Sequence, residues 1–133
     1  MSTLDQAMNY LADVAQGYTW SSAKSFSLTR KNCNGTINGS FSYRIRSDNK
    51  AIVISGRVYI TSFSRTGANP GFTFADIGIP TTAGNHMIGY RGESPIESLN
   101  INFGARTITT NETFSNCSGS RLTFMVPETV LHL

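Results

Sequence analysis

The stretch YRIRSDNKAIVISGRVYITSF, residues 43–63, decides the fold class of this chain. Two runs rich in Ile, Val and Tyr flank a polar Ser-Asp-Asn-Lys corner at 47–50, which is the pattern of a β-hairpin. The second run, at 51–63, is apolar on both faces around Gly56. This predicts a central strand and favours a bulge at the glycine.

Shorter runs with the alternation of strands lie on both sides of this hairpin, and turn-rich segments such as NPG at 69–71 and TAGN at 82–85 separate them. The pattern predicts an all-β protein, an antiparallel sandwich or barrel of about seven or eight short strands. The strands are predicted at 23–30, 39–46, 51–63, 72–77, 86–90, 98–103, 106–114 and 121–128.

Composition supports one domain with many turns. The 133 residues are 39% hydrophobic and only 14% charged, with Ser, Thr, Asn and Gly in place of the missing charges. The net charge of +3 is spread along the chain rather than clustered in a stripe, so no nucleic-acid partner is expected. We divide the chain into an N-terminal helix within residues 1–17 and a β domain at 18–133.

Residues 3–16 are the one segment with a helical pattern. Thr3 and Gln6 form a capping box and Gly17 is a stop signal. This helix either packs on its own sheet or forms a neck against copies of itself, and the spacing of its apolar residues allows both. The apolar stripe consists of Leu4, Met8, Leu11 and Val14 or Ala15.

The first residues, MSTLDQAMNYLADVAQ, lack the positive and apolar regions of a signal peptide, and no apolar run reaches the ~20 residues that span a membrane. We therefore expect synthesis in a cytoplasm and no membrane insertion. Cys33 and Cys117 lie in polar segments, where the expected absence of secretion favours free thiols over a disulfide. They are too few and too badly spaced for a metal site.

Catalytic patterns are missing from the sequence. There is no nucleophile elbow, phosphate-binding loop or dinucleotide fingerprint. The close carboxylates, Glu93 and Glu97, flank a proline and are typical of a solvated loop rather than a glycosidase pair. We expect no enzyme activity and no cofactor.

Binding residues are easier to find than catalytic ones. The segment GNHMIGYRGE at 84–93 contains Asn85, His86, Tyr90, Arg91 and Glu93, which suit a sugar site that combines ring faces with planar polar groups. In SLNINF at 98–103, Leu99, Ile101 and Phe103 point one way, and the other face carries Ser98, Asn100 and Asn102. The alternative is a turn followed by a solvated strand face.

Four strings together resemble a known kind of protein. They are an aromatic and basic hairpin, a proline corner before a polar loop, a late hairpin and a closing strand: FSYRIRSDNKAIVISGRVYIT at 41–61, IGIPTTAGNHMIGY at 77–90, LNINFGARTIT at 99–109 and RLTFMVP at 121–127. This pattern resembles the head domains of phage tail receptor-binding proteins, in particular those of lactococcal and related siphophages.

The resemblance implies β-sandwich heads, trimers joined by a helical neck, and binding of host cell-wall saccharide. It would place this chain in the virion tail, beside other phage tail proteins, after synthesis in the host. Arg91 and Glu93 would bind hydroxyls or a phosphate, Tyr90 or His86 would cover a sugar face, and Asn100 and Asn102 would complete the site. A structural tail module that contacts only proteins is the alternative, and a polysaccharide-modifying enzyme is a second one.

Overall fold

The computed structural model describes residues 17–91, 96–110, 117–118 and 120–133. The predicted helix at 3–16 lies outside these residues, together with its apolar stripe of Leu4, Met8, Leu11 and Val14. The described chain is antiparallel β structure, with one 3-10 turn at Thr81–Ala83, so the all-β prediction is confirmed.

Ten strands form the described fold. In chain order they are β1 (Lys24–Ser25), β2 (Leu28–Lys31), β3 (Cys33–Ile45), β4 (Ala51–Arg65), β5 (Gly71–Phe74), β6 (Asn85–Arg91), β7 (Ile96–Asn102), β8 (Thr107–Thr110), β9 (Cys117–Ser118) and β10 (Arg121–His132).

The strands follow one hydrogen-bonded path with two halves. The first half is β1-β3-β4-β10 and the second half is β6-β7-β8-β5-β2, while β9 pairs with β10 off this path. The halves are joined where Met125 of β10 pairs with Arg91 of β6. All pairs are antiparallel, so each strand presents alternate side chains to its two sides.

The turn of the β3–β4 hairpin is closed by polar groups. The Arg46 guanidinium donates two hydrogen bonds to the Asp48 carboxylate, at 2.9 and 3.0 Å. The Lys50 amide donates to the same carboxylate at 3.1 Å, and Asn49 takes the left-handed conformation that asparagine tolerates. The Ser-Asp-Asn-Lys corner is thus a hairpin turn, as predicted.

β4 lies between β3 and β10, which confirms the predicted central strand. Gly56 is needed there because its φ is +140° and a Cβ would lie 2.9 Å from the Phe41 Cα. The β3–β4 register nevertheless runs through Gly56 without a shift. Bulges lie elsewhere: on β10, Pro127 and Glu128 stand opposite the single residue Ser55, and on β4, Ser62 and Phe63 stand opposite Gly35.

Aromatic rings connect the two halves of the sheet. The Phe72 ring of β5 lies 6.1 Å from the Phe41 ring of β3 and 5.4 Å from the Phe124 ring of β10, measured between ring centres. The Phe26 ring lies 5.1 Å from that of Phe74. All five rings are buried, so the core lies between the two halves.

Several predicted strand boundaries are wrong. The strand predicted at 39–46 begins at Cys33, and the one predicted at 72–77 ends at Phe74. Residues 23–30 are two strands, because the chain passes from the first half to the second at the buried Phe26. β1 pairs with β3, whereas β2 pairs with β5. The closing strand was predicted to end at residue 128 but runs to His132, because pairing with β4 resumes after the bulge.

Candidate functional site

The β6–β7 hairpin presents asparagines on its outward side. Asn85 pairs with Asn102 and Met87 pairs with Asn100, and directly paired residues share one side of an antiparallel sheet. Leu99 and Ile101 of β7, and Phe103 just after it, are buried in the core. The predicted division of SLNINF into an apolar and a polar side is therefore confirmed.

The same outward side continues across the second half with hydroxyl groups. Asn102 pairs with Thr107, Thr107 pairs with Thr73, and Thr73 pairs with Thr29 at the edge strand. We call this surface the amide–hydroxyl face. It comprises Thr29, Thr73, Asn85, Met87, Ser98, Asn100, Asn102, Thr107 and Thr109, and these residues carry no charge.

Several polar groups of this face are available to a ligand. The Asn100 amide donates to the Asn85 side-chain oxygen at 3.4 Å, and the Asn102 oxygen accepts from the Ala105 backbone at 2.9 Å. The NH₂ groups of Asn85 and Asn102 donate to no atom of the described residues. Thr109 is only 9% exposed, and its hydroxyl also has no hydrogen bond within the described part of the chain.

Met87 adds an apolar contact to the amide–hydroxyl face. Its side chain is 57% exposed, the largest exposure of a large hydrophobic residue in the described chain. It stands directly opposite Asn100. A thioether chain adapts its shape to the surface it meets, so Met87 can pack against an apolar patch of a ligand whose hydroxyls reach the neighbouring amides.

His86 and Tyr90 point to the other side of the hairpin. The His86 ring nitrogen Nε2 lies 2.9 Å from the Ala83 carbonyl oxygen, and its ring packs 5.7 Å from that of Phe103. Tyr90 is 1% exposed, with its ring 5.3 Å from the Phe124 ring. Tyr90 has no open ring face to offer a sugar, because the core covers it. The amide–hydroxyl face therefore includes neither His86 nor Tyr90.

Of the two charged residues of the expected site, Arg91 takes a backbone position on the same side of β6 as Asn85 and Met87, by the same alternation. Arg91 is placed as the last residue of β6, where it pairs with Ile96 and Met125. Glu93 lies outside the described residues.

Sequence reasoning identified Asn85 but missed Met87 and the threonines of β5 and β8. The signal that identifies them is the register of the β6–β7 hairpin. Once Asn102 is placed opposite Asn85, period-two alternation puts Met87 and Asn100 on the same side. Composition alone does not fix that register.

Cys33 is a buried free cysteine, and burial raises the pKa of its thiol. Its Sγ lies 3.9 Å from the Gly71 carbonyl oxygen. The thiol is therefore a neutral core group at pH 7 and takes no part in the amide–hydroxyl face.

The described residues contain no group of three or more potential metal ligands. Within that same part of the chain, no helix has the length and apolar character needed to cross a bilayer. Comparisons of the chain with protein-family models, with curated proteins and with solved structures found no match.

Proposed function

We propose that this chain is the non-enzymatic receptor-binding head of a phage tail, a β-sandwich that attaches to host cell-surface saccharide through its amide–hydroxyl face. The observation that carries the proposal is the uncharged array of amides and hydroxyls across β6, β7, β8 and β5. The hairpins keep this array at fixed strand spacing, since rigid elements position binding groups better than loops do.

The chemistry of this face suits a neutral sugar. Sugar hydroxyls both donate and accept hydrogen bonds, and an asparagine amide offers both functions in one plane. Asn100 and Asn102 would bind hydroxyls, while Met87 would contact the C–H groups of the sugar ring. One such site would be weak, about millimolar to micromolar, because a small polar ligand buries little apolar area.

Trimer formation would raise the effective affinity through avidity. The proposed contact is a three-helix neck formed by Leu4, Met8, Leu11 and Val14, and it rests on the spacing of these residues in the sequence. Sedimentation at micromolar concentration should give three times the mass of one chain. L11D should dissociate the trimer, and a parent protein that sediments as a single chain would contradict the neck.

Binding of the labelled protein to host cell walls tests the proposed function. We expect the parent to bind intact walls and to lose binding when the saccharide is stripped. N100A should weaken binding about three- to tenfold per head, the value of one hydrogen bond, and more in a trimer. N34A is the matched control, because Asn34 is an exposed asparagine on β3, in the other half of the sheet.

The result for N100A decides the location of the site. If N100A folds, keeps the parent's oligomeric state and binds walls as well as the parent, the amide–hydroxyl face is not the saccharide site. Loss of binding in both N100A and N34A would also contradict it.

A structural tail module is the second candidate, and the exposure of Met87 on the outward side of the β6–β7 hairpin favours it, since an exposed apolar side chain also suits a protein partner. Stripping the saccharide separates the two functions. A module that contacts only proteins would show no difference between intact and stripped walls.

A further inference from the structure

A second outward surface lies on the first half of the sheet and is centred on Tyr59. In the register of β3, β4 and β10, Tyr59 stands between Asn38 and Thr123, and Arg57 stands between Ser40 and Met125. We call this surface the tyrosine–arginine face. It comprises Asn38, Ser40, Arg57, Tyr59, Thr61, Arg121 and Met125, and Thr123 lies on the same side but is buried.

Two guanidinium groups lie against the Tyr59 ring. The Cζ of Arg57 is 5.3 Å from the ring centre, and the Cζ of Arg121 is 5.7 Å from it. Both distances are within the range of a cation–π contact. The two positive charges are therefore at most about 11 Å apart, so one polyanion can contact both.

A single acidic residue lies on the three strands around Tyr59. β3 and β4 contain no Asp or Glu, and the one acidic residue of β10 is Glu128. Glu128 lies at the bulge and lines a depression with Ala23 and Arg44. Arg57 is exposed and has no ion-pair partner among the residues that the structure describes.

We propose that the tyrosine–arginine face binds the oxyanion groups of an acidic polysaccharide, with Arg57 and Arg121 as the anion contacts and Tyr59 as their platform. Guanidinium groups bind carboxylate, sulfate and phosphate through paired N–H donors, and the ring fixes their position before the ligand arrives. The Ser40 and Thr61 hydroxyls lie on the same side and would meet the neutral hydroxyls of such a polymer.

A polysaccharide fits this face better than a nucleic acid. Single-stranded nucleic acids bind through successive base stacking on several aromatic rings, and Tyr59 is the one aromatic residue of this face. That ring is already in contact with two guanidiniums. Two arginines also fall short of the basic stripe that tracks a phosphate backbone.

Binding of the full chain to immobilised polymers tests the proposal. The probes are polygalacturonate for carboxylate, dextran sulfate for sulfate, neutral dextran, and an oligothymidine of matched charge. We expect both acidic polysaccharides to bind, neutral dextran not to bind, and affinity to fall as salt rises from 50 to 500 mM in this assay. R57Q should weaken binding about tenfold, and R57K less, because lysine keeps the charge without the paired donors.

R44Q is the matched control. Arg44 is an exposed arginine of β3, and it lies against Val53 of β4, away from the Tyr59 ring. R44Q changes the net charge as R57Q does and should bind within twofold of the parent. An equal loss in R44Q and R57Q, no binding of either acidic polysaccharide, or tighter binding of oligothymidine would each overturn the proposal.

The outcome is independent of the saccharide site on the other half of the sheet. N100A should bind polygalacturonate as the parent does, because Asn100 lies on the amide–hydroxyl face. If the parent fails to bind cell walls but binds acidic polysaccharide, and R57Q weakens that binding, the proposed attachment function is rejected and the present inference stands.

Discussion

The two outward surfaces of this chain both arise from the alternation of side chains along β-strands, but they differ in chemistry. On the second half of the sheet, alternation brings Asn85, Asn102, Thr107 and Thr73 into one uncharged row. On the first half, the same alternation brings Arg57 beside Tyr59. The pleat decides which residues lie outward, and the identity of those residues decides whether a surface recognises hydroxyls or charge.

The largest expected effect comes from the core that separates the two faces. F72A should lower the free energy of unfolding by about 3–5 kcal/mol, because the fully buried Phe72 ring contacts both Phe41 and Phe124. Denaturant unfolding measures this change. The two halves should lose structure in one transition; an unaffected first half would show that the faces rest on separate cores.

Glycine substitutions compare the stability of the two halves, with a smaller expected loss than F72A. G56A should destabilise β3–β4 and G71A should destabilise β5–β8, each by more than about 2 kcal/mol, because a Cβ at Gly56 would lie 2.9 Å from the Phe41 Cα and a Cβ at Gly71 would lie 2.7 Å from the Thr109 Cα. Thermal unfolding of each variant measures the loss.

G78A is the control for backbone strain without a clash. Gly78 has a φ of +86° and open space where a Cβ would lie. Its substitution should cost only the left-handed strain of about 1–2 kcal/mol, with no steric addition. If G56A costs no more than G78A, the close approach of β3 and β4 is not what requires Gly56.

Much of the fold could be predicted from the sequence because the signals are local. The Ser-Asp-Asn-Lys turn and the apolar run of β4 identify the central hairpin, and short-range alternation identifies β5, β6 and β7. The division at Phe26 could not be predicted in this way. Both β1 and β2 keep the alternation of a single strand, and only the change of partner from β3 to β5 separates them.

The candidate site was predictable only in part, for a related reason. Asn100 and Asn102 were identified because they alternate with buried residues in one segment. Tyr90 looked like a sugar platform because a tyrosine beside glycines and charges resembles an exposed ring. Its burial depends on Phe124, which lies 34 positions further along the chain and whose contact no local pattern reveals.

The methionines give a matched pair between the faces. M87A should weaken cell-wall binding severalfold, because Met87 is 57% exposed beside Asn100 and would lose its contact with the sugar. M125A removes the same side chain from the tyrosine–arginine face, where Met125 is 37% exposed. It should leave cell-wall binding unchanged.

Both methionine variants should unfold within about 0.5 kcal/mol of the parent, since exposed side chains contribute little to the core. If M87A and M125A lose cell-wall binding equally, the methionines do not assign the saccharide site to either face. A loss confined to M125A would move the saccharide site to the first half of the sheet.

The smallest effect concerns acid, and it separates folding from binding. The hydrogen bond from Arg46 holds the pKa of the Asp48 carboxyl below its ordinary value. The stability that this carboxylate contributes is therefore present above pH ~4, where the unfolded chain is also ionised, and is lost as pH falls through the lower pKa of the folded state. D48N should be less stable than the parent at pH 7, and the difference should close towards pH 2 in urea unfolding at each pH.

R46Q in the D48N background should add no further pH dependence. A difference in stability between D48N and the parent that persists at pH 2 would show that ionisation of Asp48 is not its source. The described side chains of the two faces include no carboxylate, and arginine stays charged throughout, so binding of neutral saccharide and of dextran sulfate should not follow this transition while the protein remains folded. Polygalacturonate does not serve for this comparison, because its own carboxylates are protonated as the pH falls below about 4.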